Sequence, residues 1–415
     1  MNKTTRGWTV TFAGTGINLA LGVLYTWSVF AAALTEQLAW SKTAASLPYT
    51  VACAVFALMM VPGGRLQDRF GPRWVATAGG IFAGGGLILS SLTDSLFVLT
   101  LTFGLIAGIG IGLGYSAATP AAVKWFPPQK KGLISGIVVA GFGLASLYIA
   151  PLTNSLIGNL GVKSAFRIEG LIFLFAIVAL SQVLAVPQSN PTPTAPSAPA
   201  SPQAATSLNA PPSPPPAAKG DFSWQEMLKD PRFYLLWVMF AAGATAGLMI
   251  IGQLSTITKL QTGISWGFAM VALLAIFNAG GRVLAGWLSD RIGRSWTMRI
   301  FFSLQGLNML AFTFYSSPAL IALGAIMTGL SYGSLLSLFP SATYDFFGTK
   351  NGGVNYGLIF TAWGVGGVFG PLMAGAVVDL TNSYFYAYLI AAALCLIAAF
   401  LTIFLKSSPL EAEKA

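Results

Sequence analysis

The chain contains no histidine among its 415 residues. This absence excludes a histidine metal site, a Ser-His-Asp catalytic triad and an imidazole proton relay. Only two cysteines occur, Cys53 and Cys395, and both stand in apolar runs, where we interpret them as small packing residues rather than as a disulfide. No HExxH motif is present, and the string Gly329-Leu330-Ser331-Tyr332-Gly333 stands inside a long apolar run rather than at a strand-to-helix elbow, so we do not expect an enzyme, and no cofactor or metal is implied.

Charge is also scarce. Charged residues make up 8% of the chain and hydrophobic residues 55%, whereas a soluble domain carries roughly a quarter charged residues. With so little charge, a protein of this size cannot cover itself with a water-compatible surface. Lipid must therefore be the solvent for much of its area, and we expect an all-α membrane protein.

Twelve segments are long and apolar enough to cross a bilayer, which takes about 20 residues per helix. Six precede and six follow residues 187–220, a stretch dominated by Pro, Ala and Ser with no apolar periodicity. Such a stretch cannot bury enough surface to fold, so we predict a linker between two pseudo-symmetric six-helix halves. The predicted spans are 8–34, 43–66, 73–93, 96–124, 132–159, 164–186, 231–260, 265–289, 296–316, 318–347, 353–380 and 384–405.

The predicted organisation is an N-terminal half at residues 1–186, a linker at 187–230 and a C-terminal half at 231–415. Within the linker, residues 221–230 are predicted to form a short amphipathic surface helix. The basic segment 1–6 runs directly into the first apolar stretch, so we expect it to be retained as the start of the first span.

Lysine and arginine predict the orientation. When both termini and the even-numbered loops are assigned to one side, that side holds all but five of the 22 basic residues. By the positive-inside rule both termini and the linker are cytoplasmic, in a multi-pass inner-membrane protein. Topology thus accounts for the net charge of +10, and we expect lipid rather than nucleic acid as the surrounding partner.

One short motif occurs at matching places in the two halves. Residues 64–73 read GRLQDRFGPR and residues 286–294 read GWLSDRIGR, and both fit Gly-x-Leu-x-Asp-Arg-x-Gly. A repeat at half-chain spacing is typical of a duplicated transporter. The first Gly allows another helix to approach, the Asp is placed to accept from a helix N-terminus or an Arg, and the second Gly permits a tight turn.

This pattern resembles the cytoplasmic signature of the major facilitator superfamily, and the resemblance covers essentially the whole chain. In that family the Asp and Arg of the signature form a conformational latch for the outward-open state. The resemblance implies the same role for the matching residues here, which are Asp68, Arg69, Asp290 and Arg291.

Arg282 is an exception among the ionisable residues, because it lies well inside the predicted eighth span. No acidic residue stands three or four positions from it, so its own helix does not neutralise it. Burying an unpaired guanidinium costs several kcal/mol, which a bound carboxylate would recover in two-point geometry. Two alternatives stay open: an ion pair with an acid on another helix, or snorkelling to the cytoplasmic face.

The other ionisable residues in or beside the spans are predicted near helix ends, within reach of water or headgroups. They are Asp68, Glu169, Asp290, Asp345, Asp379 and Arg167.

Four more polar residues stand in the middle of predicted spans, namely Asn278 one turn before Arg282, and Tyr25, Tyr115 and Tyr332. Tyrosine hydroxyls in such places donate hydrogen bonds to an anion and line an aromatic cage. The alternative for each tyrosine is ordinary helix packing or anchoring at the membrane interface.

Three local patterns narrow the family. They are Trp125-Phe126-Pro127 followed by Lys131-Gly132-Leu133, Phe339-Pro340-Ser341, and Asn355-Tyr356-Gly357. With Asn278 and Arg282 they resemble the monocarboxylate transporter family, and most of all its bacterial branch, which includes the oxalate/formate antiporters. The resemblance implies alternating access around a central site, with Arg282 holding the substrate carboxylate and with Tyr25, Tyr115 and Tyr332 at aromatic positions of the site.

The departures from that family carry information. The oxalate/formate branch has a lysine in its eleventh helix where this chain has Trp363, and one positive charge suits a monoanion better than a dianion. Animal carriers use a first-helix Lys and an eighth-helix Asp in proton coupling, where Trp27 and Asn278 stand here. The sequence therefore identifies no residue that carries the proton. Two alternatives stay open: the substrate carboxylate itself, or Arg282 alternating between the substrate and an acid.

We therefore predict a monomeric secondary transporter of small monocarboxylates such as L-lactate or pyruvate, with proton-coupled symport implied by the resemblance. The first alternative is a dicarboxylate/monocarboxylate antiporter of the oxalate/formate kind. The second is a sensor that keeps the carrier fold without transporting.

Overall fold

The computed structural model describes residues 2–40, 42–187, 221–263 and 267–405. Twelve long helical segments fill these ranges, and no β-strand occurs in them. Most of the predicted linker, residues 188–220, and the tail from residue 406 lie outside the described part. The segments are α1 (Lys3–Leu21, Gly22–Thr26 and Trp27–Leu38), α2 (Lys42–Phe70), α3 (Pro72–Ser90), α4 (Leu96–Leu99, Thr100–Ala107 and Gly108–Val123), α5 (Lys131–Leu160), α6 (Val162–Ser181), α7 (Pro231–Thr262), α8 (Gly267–Ile292), α9 (Arg294–Phe312), α10 (Pro318–Phe347), α11 (Gly352–Thr381) and α12 (Phe385–Leu401).

Ten of the described helices have apolar windows suited to crossing a membrane. The two that fall short, α3 and α9, are the third helix of each half. Both have 19 residues, or about 28 Å at 1.5 Å per residue, which matches a hydrocarbon core of about 30 Å. Their hydropathy is lowered by basic residues in the first turns, Arg73 in α3 and Arg294 with Arg299 in α9.

The same helix neighbours recur in the two halves. Helices α1 and α5, α2 and α4, and α3 and α6 pack together in the first half, and their counterparts α7 and α11, α8 and α10, and α9 and α12 do so in the second. Across the halves, α2 packs against α11 and α5 packs against α8. The fold is therefore an all-α bundle of two pseudo-symmetric six-helix halves.

The signature repeat is helical, although the sequence placed it in loops. Helix α2 continues to Phe70 and α8 to Ile292, so each connection shrinks to one glycine. Gly71 has φ 86° and Gly293 has φ 90°. Residues with a Cβ seldom adopt this backbone conformation. The tight turn leaves Asp68 and Asp290 on the last turns of their helices. We call the end of the bundle that carries Gly71 and Gly293 the signature end.

Glycines bring the two halves into backbone contact near the signature end. A Cβ on Gly64 would lie 2.2 Å from the Gly353 carbonyl oxygen, and one on Gly286 would lie 2.2 Å from the Gly132 carbonyl oxygen. Contacts of this kind continue inward, where Gly136 meets the Arg282 carbonyl. Small residues allow such approach between membrane helices, because no hydrophobic force drives their association in lipid. The bundle is consequently sealed at this end.

The predicted surface helix at 221–230 is shorter in the structure, at Trp224–Met227. Ser223 and Glu226 form a capping box there, and the donors of Ser223 hold the pKa of Glu226 below its usual value. The helix ends early because Asp230 caps the next helix, α7, by accepting from the Arg232 backbone N–H at 2.8 Å. The Phe222 N–H donates to the Phe347 carbonyl at 3.0 Å, which fastens this segment to the end of α10.

We expect Gly64→Ala to open the signature end, since the added methyl group cannot fit beside the Gly353 carbonyl. The measurement is thiol labelling of a cysteine placed at Ser135, which is fully buried, in a variant without Cys53 and Cys395. Labelling should rise about tenfold or more, which corresponds to a shift of about 1.4 kcal/mol in the opening equilibrium. Gly85→Ala is the matched control, because nothing lies within 4 Å of a Cβ at Gly85. Equal labelling in the two variants would contradict the prediction.

Candidate functional site

Arg282 stands at the centre of the bundle. It lies ten residues before the end of α8, about 15 Å from the signature end and so at the middle of a core about 30 Å thick. Its exposure is 0%. Nε donates to Asn278 Oδ1 at 3.2 Å and Nη1 donates to the Val139 carbonyl of α5. Nη2 is buried and makes no hydrogen bond within the described residues.

The two alternatives for Arg282 do not match this geometry. Among the described residues no carboxylate forms an ion pair with it, and its side chain does not reach the surface. A buried guanidinium that is only partly satisfied is costly, because desolvation is offset by two hydrogen bonds to neutral acceptors and by no opposite charge. The arrangement leaves two N–H donors at Nη2 for an anion.

Helix α5 provides the surface on which Arg282 rests. A Cβ on Gly143 would lie 3.3 Å from the Arg282 Cζ, so the missing side chain makes room for the guanidinium. Three consecutive carbonyls of α5 accept from side chains of both halves: Ile137 from Thr15 at 3.2 Å, Val138 from Asn18 at 2.9 Å, and Val139 from Arg282. This segment of α5 therefore couples α1 of its own half to α8 of the other.

Aromatic side chains from both halves surround the central site. We define the aromatic cage as Tyr25, Phe56, Tyr115, Phe142, Tyr332, Tyr356, Phe360 and Trp363. The Tyr25 and Tyr332 hydroxyls are 3.4 Å apart across the halves, and Trp363 Nε1 donates to the Tyr332 hydroxyl at 2.8 Å. The Phe56 ring lies 5.4 Å from the Trp363 ring, again across the halves. These contacts close the cage around the middle of the bundle.

The cage also contains two buried tyrosine hydroxyls that interact with each other. Tyr115 packs edge-on against Phe56 and Phe142, at 5.3 and 5.4 Å between ring centroids. Its hydroxyl and that of Tyr356 are buried and interact with each other, make no hydrogen bond to a third group in the described residues, and lie within electrostatic range of Arg282. Buried hydroxyls normally find a partner. Together with the open Nη2 of Arg282, the hydroxyls of Tyr115 and Tyr356 form a donor set suited to a small anion.

The structure brings together most residues that the sequence singled out. Arg282 contacts Asn278, Tyr25 contacts Tyr332, and Tyr115 faces the same charge. The cage members Phe56, Phe142, Tyr356 and Phe360 were not predicted, because an aromatic residue in an apolar run gives no local signal of the face on which it lies. Tyr25 stands in a 3-10 segment, Gly22–Thr26, rather than in regular α-helix.

Asp68 bridges the halves at the signature end. Its carboxylate accepts from the Gly353 and Val354 N–H groups at 3.3 and 3.0 Å, which are the free amides at the start of α11. The positive end of that helix favours an anion. Lys124 lies 3.6 Å from the same carboxylate. Asp68 thus joins α2 to α11 through backbone amides.

Asp290 of the C-terminal half makes the equivalent contact to the N-terminal half. It accepts from the Gly132 and Leu133 N–H groups of α5 at 2.9 and 2.8 Å. Arg294 pairs with it at 2.7 Å and also with Asp345 at 2.8 Å. Lys131 of the first half lies 3.2 Å from Asp345 of the second half, so an ion-pair network joins the two halves at the signature end.

The two signature arginines lie away from this network. Arg69 and Arg291 are exposed, and their guanidinium groups lie over the rings of Phe70 and Trp287, at 5.2 and 3.9 Å. The latch role of Asp68, Arg69, Asp290 and Arg291 stays a prediction, and the geometry assigns different contacts to its acidic and basic members. The sequence analysis did not predict a role for Arg294. This arginine is the buried one that pairs with Asp290 and Asp345, and its only mark in the sequence is that it follows Gly293.

The expected position of Glu169 was wrong. The sequence placed it near a helix end within reach of water, whereas its exposure in α6 is 0%. Helix α6 begins at Val162, before the predicted start, and Gly170 packs against Gly84 and Ile88 of α3. Glu169 is therefore carried into the interior of the first half.

A sequence profile of the Major Facilitator Superfamily matches residues 10–304 and 257–415. The chain belongs to this superfamily. The oxalate:formate antiporter of Oxalobacter formigenes is 30% identical over 384 residues, which cover 89% of this chain and 84% of that protein. Human monocarboxylate transporter 11 is 27% identical over 416 residues, which cover 96% of this chain and 82% of its own.

Solved structures of the superfamily share the fold. The Escherichia coli fucose:proton symporter superposes with a TM-score of 0.67 and 14% identity, covering 94% of this chain and 98% of that one. At this identity the likeness concerns the architecture alone. The superfamily consists of membrane transporters, and the resemblance drawn from the signature repeat is confirmed.

We expect Arg294→Gln to weaken the signature end far more than Arg291→Gln. Removing Arg294 leaves Asp290 and Asp345 partly buried with less compensation, and breaking a buried ion pair costs about 3 to 5 kcal/mol. Arg291 is exposed, so its removal should cost about 1 kcal/mol or less. The measurement is thermal unfolding of the two purified variants in detergent, with labelling of a cysteine at Ser135 beside it. Equal effects of the two substitutions would contradict this assignment.

Proposed function

We propose that the chain is a secondary transporter of small monocarboxylates such as L-lactate or pyruvate, working by alternating access. The observation that carries the proposal is Arg282, buried at mid-membrane with Nη2 open among the described residues. A carboxylate bound there would supply the missing charge and accept from a planar N–H donor. The substrate would be a small anion because the cage around the site is closely packed.

The number of charges at the site supports a monoanion. Trp363 occupies the position at which the oxalate/formate branch carries a lysine, and its indole N–H is already directed to the Tyr332 hydroxyl. Within the described residues, Arg282 is the basic group in the cage region. A dianion there would keep one negative charge uncompensated in a low-dielectric site, which is costly.

The sealed signature end corresponds to a conformation in which the site is closed on one side. By the positive-inside argument this side is the cytoplasm, with both termini and the linker on it, in a multi-pass inner-membrane protein. In the proposed cycle the contacts of Asp68 and Asp290 break when the halves rock to the inward-facing state. The protein is proposed to act as a monomer of two halves, residues 1–186 and 231–415, joined by the linker 187–230.

A specific observation favours a second candidate, which is dicarboxylate/monocarboxylate exchange. The oxalate:formate antiporter matches this chain with 30% identity along most of both lengths. The two candidates differ in their driving force, because exchange needs a counter-substrate and symport needs a proton gradient.

The experiment is uptake of labelled L-lactate into proteoliposomes, for the wild type, Arg282→Gln and Arg282→Lys. We expect Arg282→Gln to lose about 100-fold or more, because hydrogen bonds to a charged group contribute about 1.5 to 3 kcal/mol each. Arg282→Lys should recover only part, since an ammonium group lacks the planar fork. A pH gradient, acid outside, should drive accumulation that an uncoupler abolishes.

Two results would contradict the proposal. Lactate uptake that does not depend on Arg282 would show that Arg282 is not the substrate-binding residue. Oxalate uptake that is stimulated by internal formate, in the absence of lactate uptake, would establish dicarboxylate/monocarboxylate exchange instead. Lactate uptake that requires Arg282 but is unchanged by the uncoupler would support the proposed substrate and site and would exclude proton symport.

We expect Trp363→Lys to shift selectivity from lactate towards oxalate. The second positive charge would compensate the second carboxylate of the dianion, and removal of the indole would enlarge the cage. Competition of unlabelled oxalate against labelled lactate measures the shift, with a fall of about tenfold in the inhibitory oxalate concentration expected for about 1.4 kcal/mol. Trp363→Gln, which enlarges the cage without adding charge, is the control. The same gain in both variants would show that size rather than charge decides.

A further inference from the structure

Glu169 is a buried acid for which the proposed substrate site has no use. It lies seven residues after Val162 in α6, about 10 Å inside the end opposite the signature. Its Oε1 is 2.5 Å from the Thr153 Oγ1 of α5, and its Oε2 is buried without a hydrogen bond in the described residues. A carboxylate in the membrane interior is costly unless it is paired or protonated.

The other described acids are paired or exposed. Asp68, Asp290 and Asp345 have basic partners at the signature end, and the pairs Asp94 with Lys163 and Asp230 with Arg232 lie at the two surfaces. Glu36, Asp221 and Glu226 are exposed. Among the acids whose side chains the structure describes, Glu169 is the one that is fully buried and makes no ion pair.

The hydrogen count around Thr153 fits a protonated Glu169. The Thr153 hydroxyl has one proton and two close oxygens, the Ile149 carbonyl at 2.8 Å and Glu169 Oε1 at 2.5 Å. If Glu169 is ionised, both neighbours are acceptors and one contact lacks a proton. If Glu169 is protonated, its O–H donates to Thr153, which donates to Ile149, and both contacts become hydrogen bonds. This geometry favours the neutral acid in the conformation described.

A cavity lies at the start of α6, the helix that carries Glu169. It has a volume of about 270 Å³ and lies among the ends of α1, α3, α5 and α6 opposite the signature. The Asp94–Lys163 pair and Ser90 line it, and its lining includes Phe166, one helical turn from Glu169 on the same face. The volume admits several water molecules. Phe166, which is stacked on Phe30 at 4.0 Å between ring centroids, is the lining residue one turn from Glu169, and Glu169 itself is not part of the lining.

Few charged or titratable groups face Glu169 from the elements that pack against α6. Tyr148 of α5 lies within electrostatic range of it, and the Tyr148 hydroxyl donates to the Leu19 carbonyl at 3.0 Å. The other charged side chains that the structure describes on these helices and their ends, on the side of the bundle opposite the signature end, are exposed: Glu36 at the end of α1, Asp94 after α3, and Lys163 and Arg167 on α6. The protonation state of Glu169 is therefore governed by its burial and by Thr153.

We propose that Glu169 is a proton-binding site that exchanges with the outer solution through this cavity and carries the proton of symport. A hydronium ion that enters the cavity from the outer solution transfers its proton, so that an O–H bond forms at the Glu169 carboxylate, a water molecule remains, and the new acid donates to Thr153. After the halves reorient, the acid gives the proton to water on the other side of the membrane, which restores the carboxylate. Since Thr153 and the Val139 carbonyl that holds Arg282 are both on α5, one helix connects the proton site to the substrate site. The coupling role rests on the proposed transport function.

The test separates proton coupling from substrate handling in proteoliposomes. We expect Glu169→Gln to exchange internal for external lactate within about threefold of the wild type, because exchange needs no net proton movement. Accumulation driven by a pH gradient should fall at least tenfold. Glu36→Gln, which removes an exposed acid at the same end, is the matched control and should behave as the wild type. Glu169→Asp should recover part of the accumulation because it keeps the acid.

An infrared measurement tests the proton site without any substrate. The wild type should show a carboxylic-acid carbonyl band that titrates with pH and is missing from Glu169→Gln, whereas Glu36→Gln should keep it. Glu169→Asp should shift the band, which keeps the test decisive if Glu169→Gln does not fold. Gradient-driven accumulation by Glu169→Gln equal to the wild type, or an unchanged infrared band, would overturn the proposal. Absence of lactate transport in the wild type with the band present would reject the proposed function and leave the proton site standing.

Discussion

The buried charge of Arg282 is the constraint on which the rest of the central site depends. A guanidinium at mid-membrane must be compensated, and the described residues offer it the Asn278 side chain and the Val139 carbonyl but no carboxylate. In the proposed function, a bound carboxylate supplies the missing charge for part of the cycle. Gly143 opens the space for the guanidinium. The closely packed aromatic cage gives this charge an apolar surrounding, in which electrostatic interactions are stronger than in water.

Helix α5 connects the different parts of the molecule. At its start, the Gly132 and Leu133 amides bind Asp290 of the other half. In its middle, three consecutive carbonyls accept from Thr15, Asn18 and Arg282, and further along Thr153 contacts Glu169. A rocking motion that separates α5 from α8 would therefore act on the junction and the substrate site together. Such rigid-body motion is the ordinary route to alternating access in this class of fold.

The sequence predicted those features that local pattern determines. The twelve spans follow from apolar length, the aspartates at the signature end from the repeated motif, and the depth of Arg282 from its place well inside the predicted eighth span. Phe56 and Phe360 could not be predicted as cage residues from the sequence, because their position in the cage depends on how α2 and α11 pack. Arg294 was missed because its role requires the one-glycine turn that places it beside Asp290. The depth of Glu169 depends on where α6 begins and on its contact with α3, and neither is encoded in a short motif.

The central claim is that the guanidinium of Arg282 receives the substrate carboxylate within the aromatic cage. A structure of the protein determined with L-lactate bound tests this most directly. The account predicts the lactate carboxylate within hydrogen-bond distance of Arg282 Nη2, with the Tyr115 or Tyr356 hydroxyl as a further donor. Lactate held elsewhere, or Nη2 paired with an acid of the protein while lactate is bound, would contradict it.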